Sequence, residues 1–584
     1  MSRKWLLSLI PVMVASAQTA NVYIQHNLVS DVPSLADATD PNLVDPWGLS
    51  FSAAGPFWVS NHGAGNTSVY SFANTTTGIT VAPLLVTIPS GAGGPSPSTP
   101  TGQVQNNTTG FLLPNGNKAS FIFCTEDGTV SAWNGGKTAT VMIDLSAAGT
   151  VYKGMAIGSN STGPLLYLAN FSYGKVDVLD TNFKLTTVPG GFGDPTLPAG
   201  YAPFNIWPVN GNLYVLFAKQ SANKKTDAQG PGNGIVDVFD FNGNFIQRLV
   251  TGGPLNSPWG VAMAPSGWGA FSGALLVGNF GDGKINAFDP KTGNLLGALQ
   301  DSTGAPISIQ GLWAILFGNG ASSGDAKALY FTAGILQNGV QHGLLGSLAP
   351  PPQVVSVSNA ASGVSGSISP GEVLALSGIA IGPRPAVSSA SLSSAVNDTA
   401  SLGGTSVTVN GTPAPILYTQ ADQTNIIVPW GITGTTANIV VTSGTNPPLP
   451  ALRVPLVPTA PGLFTSGGTV LAFNQDGTLN SASNAAAAGS VVVLYATGLG
   501  QTSPPQLDGV RESALVLAET VNPVNVTIGG MPAQVIYSGS APGQIAGVMQ
   551  VEAVVPAGAG TGPVSVLLTA SGATSQPGAT INLK

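Results

Sequence analysis

Cysteine occurs once in this chain, at Cys124, so no intramolecular disulfide can form. Set in the apolar run Ser120-Phe121-Ile122-Phe123-Cys124, it reads as a small buried core residue. Charge is nearly as scarce. Only 7% of residues are Asp, Glu, Lys or Arg, against about 25% in ordinary soluble proteins. The 18 basic residues are spread thinly and the net charge is −7. No Lys/Arg-rich segment can neutralise a phosphate backbone, so no nucleic-acid partner is expected. Histidine occurs three times, at His26, His62 and His342, and none sits in a catalytic-triad phrase. No C-x-x-C or H-E-x-x-H phrase is present. No apolar run reaches the roughly 18 residues of a membrane span, so no transmembrane segment is expected in the mature chain.

What the chain has in quantity is glycine (77) and proline (46) among 584 residues. Such a composition makes many turns and few amphipathic helices, whose polar faces need long charged side chains. The first residues have the order of a secretory signal. Arg3 and Lys4 precede the apolar stretch Trp5–Val14, and Ala15-Ser16-Ala17 is a small-residue cleavage site. Residues 1–17 are therefore expected to be a signal peptide, and the mature protein to be secreted, outside the cell or on its surface.

A phrase recurs through the first 350 residues. Its clearest copy is Pro258–Asp289: Trp259-Gly260-Val261-Ala262-Met263, a turn, Leu275-Leu276-Val277, a Gly281-Asp282-Gly283 turn, then Lys284–Phe288. Other copies begin at Trp47-Gly48, Thr109–Leu113, Lys153–Ile157, Phe204–Trp207 and Leu312–Leu316. Short alternating strands at a period of about 40–55 residues point to propeller blades. Six copies predict six blades over residues 18–349. The sixth lacks an outer strand, which Asn21–Asn27 is expected to supply, closing the ring and removing its exposed edges.

Pro350-Pro351-Pro352 predicts a stiff linker over 350–353, and beyond it the composition shifts to Ala, Ser, Thr, Val and Gly. This half holds its own duplication. Val407–Tyr418 matches Val526–Tyr537, Pro370–Leu376 matches Ala488–Leu494, and Thr424–Pro429 matches Met549–Pro556. Two all-strand units, 354–460 and 461–584, are expected to be β-sandwiches. The fold class is thus all-β: a six-bladed β-propeller followed by two Ig-like β-sandwich domains.

Two resemblances rest on these phrases. Asp45-Pro46-Trp47-Gly48, Pro258-Trp259-Gly260 and Gly232–Asp240 resemble those of a family of secreted bacterial NHL-like propellers. The phrase V-x-[IV]-[GN]-G-x-P-A of the second half resembles IPT/TIG-like immunoglobulin-type modules. The first implies a fold and no settled activity. The second implies spacer or adhesive elements.

Antiparallel strands alternate direction, so the starts of the first strands and the loops after the second strands share one propeller face. That face gathers the candidate ligand-binding residues: Trp47, Asn61, His62, Asn170, Lys219, Asp227, Trp259, Asn279 and Trp313. Asn61, Asn170 and Asn279 occupy the same position in three blades. Either they ring the channel, where with Glu126 they could hold a metal, calcium being the one cofactor considered, or they cap their own turns. The long loop Lys219–Gly234 is read either as a channel lid or as a solvated loop, and Pro89–Pro100 as a flexible inter-blade loop. Gly320–Gly324 spells G-x-S-x-G without the strand–elbow–helix context of a nucleophile. Asp240–Asn244 reads as a hairpin turn rather than a calcium loop, because Phe245 stands where that loop needs Gly. With no catalytic residue identifiable, the expected function is binding of an extracellular carbohydrate or protein ligand by a monomer. The alternative is a metal-dependent lactonase- or lyase-type enzyme with its site at the channel mouth.

Overall fold

The structure, a computed structural model, describes residues 21–72, 78–383, 386–389, 400–444, 447–512 and 516–584. The expected signal peptide lies outside the described residues. The chain divides into two compact units, Ala20–Pro350 and Pro351–Lys584. No helix among the described residues is long and apolar enough to cross a membrane.

The first unit is a six-bladed propeller. Five four-stranded antiparallel sheets follow one another, each built from consecutive strands. The sixth joins Leu312–Phe317, Leu329–Gln337 and Val340–Ala349 to the amino-terminal strand Ile24–Ser30. That strand runs antiparallel to the third, from Ile24 opposite Ala349 to Ser30 opposite Leu344. The expected closure therefore forms, displaced along the sequence from Asn21–Asn27. Asp31 clasps it: its carboxylate accepts the Gly343 N–H at 2.8 Å and meets His342 Nδ1 at 2.7 Å.

Blade 2 corrects the reading of its own phrase. Its innermost strand is Pro100–Gln105, and Thr109–Leu113 is an irregular segment in which Leu112 makes a single bridge to Lys118. Phe111 in that segment has a φ of 61° and packs 5.3 Å from Phe183 of blade 3. The strand looks polar because its polar side chains serve the neighbouring blades. Thr101 Oγ1 donates to Tyr152 O at 2.8 Å and Gln103 Nε2 to Gly48 O at 3.3 Å. In the G-x-S-x-G phrase the serine at the third place, Ser322, is half-buried and its carbonyl accepts the Phe72 N–H at 2.9 Å, while the next residue, Ser323, is buried and donates to Gly55 O at 2.7 Å. Asp240 caps its own hairpin, accepting the Asn242 and Asn244 N–H groups at 2.8 and 2.9 Å. Cys124 is fully buried.

The second unit is also all strand. Its first module pairs two five-stranded sheets. In the second module the sheets are not separate. Met531–Ser540 pairs Val524–Ile528 by its first residues and Met549–Val554 by the rest, so one bent sheet wraps the core. The duplicated phrase forms the same hairpin in both modules. Asn410-Gly411 turns at φ 50° and 81°, and Gly529-Gly530 at 60° and 75°, the paired positive angles of a type I′ turn. The modules meet through the sheets carrying the matched strands, Val373, Ala375 and Ile427 packing with Phe464, Tyr495 and Val548. Nearby Glu372 is wholly buried. Burial pushes its carboxyl up to about 8, against the bonds it accepts from Ser369 and Asn359.

Candidate functional site at the propeller mouth

Each innermost strand begins with a side chain at the channel mouth followed by a small or compact residue. In blade order the pairs are Trp47-Gly48, Thr101-Gly102, Lys153-Gly154, Phe204-Asn205, Trp259-Gly260 and Trp313-Ala314. The second member sets how closely blades approach. A Cβ on Gly48 would lie 2.5 Å from Thr101 O, and one on Gly154 would lie 2.0 Å from Asn205 Oδ1. The first members converge on the axis.

There they build a plug. Phe280, Trp313, Trp47 and His62 form a continuous stack, with successive centroids 4.0, 3.5 and 4.6 Å apart. Trp259 meets Trp47 and Trp313 edge-on at 6.5 and 5.8 Å, the T-shaped geometry that aromatic quadrupoles favour. Trp47, Trp259 and Trp313 are all buried, so this mouth of the channel is filled.

An ion chain runs from the end of the stack across three blades. His62 Nδ1 lies 3.0 Å from Asp45 Oδ2, and its Nε2 lies 2.8 Å from Glu126 Oε2. The other Glu126 oxygen takes the Lys153 ammonium. Lys153 is 3% exposed, and its ammonium lies 5.3 Å from the Trp47 ring and 5.7 Å from Phe171, within cation–π range. Burial opposes the charge on His62, but its bonds to Asp45 and Glu126 outweigh it and raise the imidazole to about 9. Burial likewise opposes ionisation of Glu126, but His62 and Lys153 hold it down to about 2. At neutral pH, His62 is therefore an imidazolium donating from both nitrogens and cannot serve as a general base. Glu126 is a weakly basic carboxylate that retains lone pairs for further donors.

Beside this chain opens a cavity of ≈ 360 Å³. Glu126 and Asp127, after the second strand of blade 2, form part of its lining. Ser146, Ala147 and Gly149–Val151, leading into blade 3, and the glycine-rich turn at Gly93-Gly94 form more. The remainder is Lys225 and Thr226, from the hairpin of blade 4. The turn is fastened by Asp127 and Asp144, which accept the Gly91 and Ala92 N–H groups at 3.3 and 2.8 Å. The hairpin is ordered by its own bonds, with Ser221 N–H to Thr226 O at 2.9 Å. Its Lys219–Gly234 segment thus reaches one wall of the cavity, as a lid reading requires. The Pro89–Pro100 segment supplies another wall.

The structure brings Trp47, His62, Trp259 and Trp313 together. Asn61, Asn170 and Asn279 are buried at the adjoining strand ends and turn into their own blades. Asn61 donates to Asn66 at 2.7 Å and Ser68 at 2.9 Å, Asn170 to Asp177 at 2.6 Å, and Asn279 to Asp282 at 3.0 Å. The amide N–H groups of these three residues are thus engaged within the propeller, and among the described residues no group of three or more His, Cys, Asp or Glu could hold a metal ion. Lys219 is exposed at its strand end, and Asp227 accepts the Ser257 hydroxyl at 2.5 Å, tying the hairpin to blade 5. Sequence reasoning missed Asp45, Lys153, Phe171 and Phe204. Lys153 and Phe204 occupy the register of the Trp-Gly pairs, which is the signal that could have found them.

No protein-family model matches the chain. An uncharacterized protein of Acanthamoeba polyphaga mimivirus is 33% identical over 336 residues, which cover 55% of this chain and 78% of that protein. A second from the same virus is 33% identical over 333 residues, covering 55% and 84%. Among solved structures, virginiamycin B lyase from Staphylococcus aureus is similar at 12% identity and a TM-score of 0.30, over 56% of this chain and 99% of that one. Aldose sugar dehydrogenase from Streptomyces coelicolor is similar at 14% identity and a TM-score of 0.32, over 56% and 99%.

Proposed function

The chain belongs to one family with the two mimivirus proteins, and from that premise we propose that it is an extracellular binding protein that takes a saccharide in the cavity beside Glu126. The observation that carries this reading is the chemistry of the walls. They are mostly small, hydroxylated or charged, with Gly149, Ser146, Thr150, Thr226 and Glu126; Val151 and Pro95 are the larger apolar members, and no aromatic, Leu, Ile or Met side chain is among them. An apolar ligand would find little to bury against there, whereas a hydroxyl-rich one finds donors and acceptors at several sides. The volume falls within the usual range of ligand pockets. The plug beneath supplies a rigid base, as a site needs from its supporting shell.

The remaining parts of the reading rest on the sequence. The Arg3–Ala17 signal pattern supports secretion, and the NHL-like phrases support a propeller of that kind. The paired IPT/TIG-like modules support a spacer or adhesive role for residues 354–584. The enzyme alternative is weaker. It asks for a base or a metal at the mouth, and His62 is held as an imidazolium.

A glycan array probed with the intact mature protein, followed by calorimetry on its hits, tests the proposal. Ala147→Trp, which fills the cavity from an exposed turn, is expected to abolish binding without changing the melting temperature. Binding to protein ligands alone, or saccharide binding that Ala147→Trp leaves intact, would refute it.

A further inference from the structure

We propose that the saccharide is acidic, its carboxylate or sulfate held by Lys225; this rests on the binding reading above. Of the charged residues lining the cavity, one is ion-paired, one is held by neutral donors and one has neither. Glu126 is paired with His62 and Lys153. Asp127 accepts the Thr99 hydroxyl at 3.0 Å and N–H groups from Thr99 and Gly91, both at 3.3 Å. Lys225 also lines the cavity, but its ammonium forms no ion pair among the described residues, and neither do those of Lys219 and Lys224 on the same hairpin. Three of the chain's 18 basic residues thus stand on one short hairpin of a protein with net charge −7.

Lys225 is exposed, so an anion would replace water on its ammonium, and the partly enclosed cavity beside it strengthens that pairing relative to open solvent. Lys219 and Lys224 add a local positive field that steers anions toward the cavity. The hydroxylated walls and the free lone pairs of Glu126 address the sugar's hydroxyls, while Lys225 addresses its acid group. An acidic peptide would satisfy Lys225 but leave the hydroxylated walls without partners, which is why the saccharide is favoured.

Calorimetry on the intact mature protein with four probes tests this: trigalacturonate, a sulfated galactose trisaccharide, neutral galactotriose and a short oligoglutamate. An acidic sugar is expected to bind roughly two- to fivefold more tightly than the neutral one, the range of one solvent-exposed ion pair. Lys225→Gln should erase that preference while keeping the wild-type melting temperature, and Lys118→Gln, outside the cavity lining, should leave it unchanged. The uronate and sulfate arms show which acid is preferred, and either one supports the proposal. Equal affinity for neutral and acidic sugars, unmoved by Lys225→Gln, would overturn the acidic preference and leave the saccharide site standing. Oligoglutamate binding with the same Lys225 dependence, and no saccharide binding, would overturn both.

Discussion

His62 lies flat on Trp47, their ring centroids 4.6 Å apart and their planes 12° from parallel. The contact joins the aromatic plug to the ion chain, because the same imidazole is hydrogen-bonded to Asp45 and Glu126. An imidazolium on an indole face adds cation–π attraction to the packing, so the protonation of His62 and the integrity of the plug are one problem.

Stability of the propeller should therefore depend on pH in two windows. His62 is raised from 6.5 to about 9, so its contribution is complete below pH 6.5 and is lost as pH rises through 9. Glu126 is lowered from 4.5 to about 2, so its contribution is present above pH 4.5 and is lost as pH falls toward 2. Seven of the nine tryptophans lie in the propeller. Thermal melts followed by tryptophan fluorescence should show a plateau between pH 4.5 and 6.5, and His62→Gln should flatten the alkaline side.

Removing the Lys153 ammonium leaves the Glu126 charge half-paired in a largely buried place. Lys153→Met is expected to cost about 3–5 kcal/mol in chemical denaturation, as for other broken buried pairs. Adding Glu126→Gln should recover part of that loss, whereas an unchanged or larger loss would mean that the two residues act independently.

The close blade approach makes a sharper test of packing. Gly48→Ala would push a methyl against Thr101 O of the next blade and should cost about 1–3 kcal/mol, the usual price of overpacking. Ala314 fills the equivalent place in blade 6, so Ala314→Gly should cost only about 0.5–1 kcal/mol.

Glu372 gives the second unit its own pH signature. Its carboxyl is raised from 4.5 to about 8, so the folded state keeps a proton that the unfolded chain releases. Its contribution is complete below pH 4.5 and lost as pH rises through 8. Glu372→Gln, which keeps the size and stays neutral, should remove this decline in melts of the full chain above pH 4.5.

Much of the fold was legible in the sequence because its signals are local. Trp47-Gly48, Trp259-Gly260 and Trp313 mark three innermost strands, and the Asn410-Gly411 and Gly529-Gly530 turns mark the duplicated hairpin. The innermost strand of blade 2 was not legible, since Thr101 and Gln103 are buried to bond the neighbouring blades while Phe111, in an irregular segment, carries the apolar signal. The ion chain was hidden for a related reason. Asp45, His62, Glu126 and Lys153 come from three successive blades, and only the packing of those blades against one another puts them in contact. The joined sheets of the second module depend on one long strand, Met531–Ser540, serving two partners, which no local pattern announces.

The central claim is that the mouth cavity beside Glu126 and Lys225 receives the ligand. A crystal structure of the protein with a bound acidic trisaccharide tests it most directly. The account predicts the sugar in the cavity, its hydroxyls on Glu126 and Thr150 and its acid group on Lys225. A sugar bound on the opposite propeller face or on residues 354–584, with the cavity empty, would contradict it.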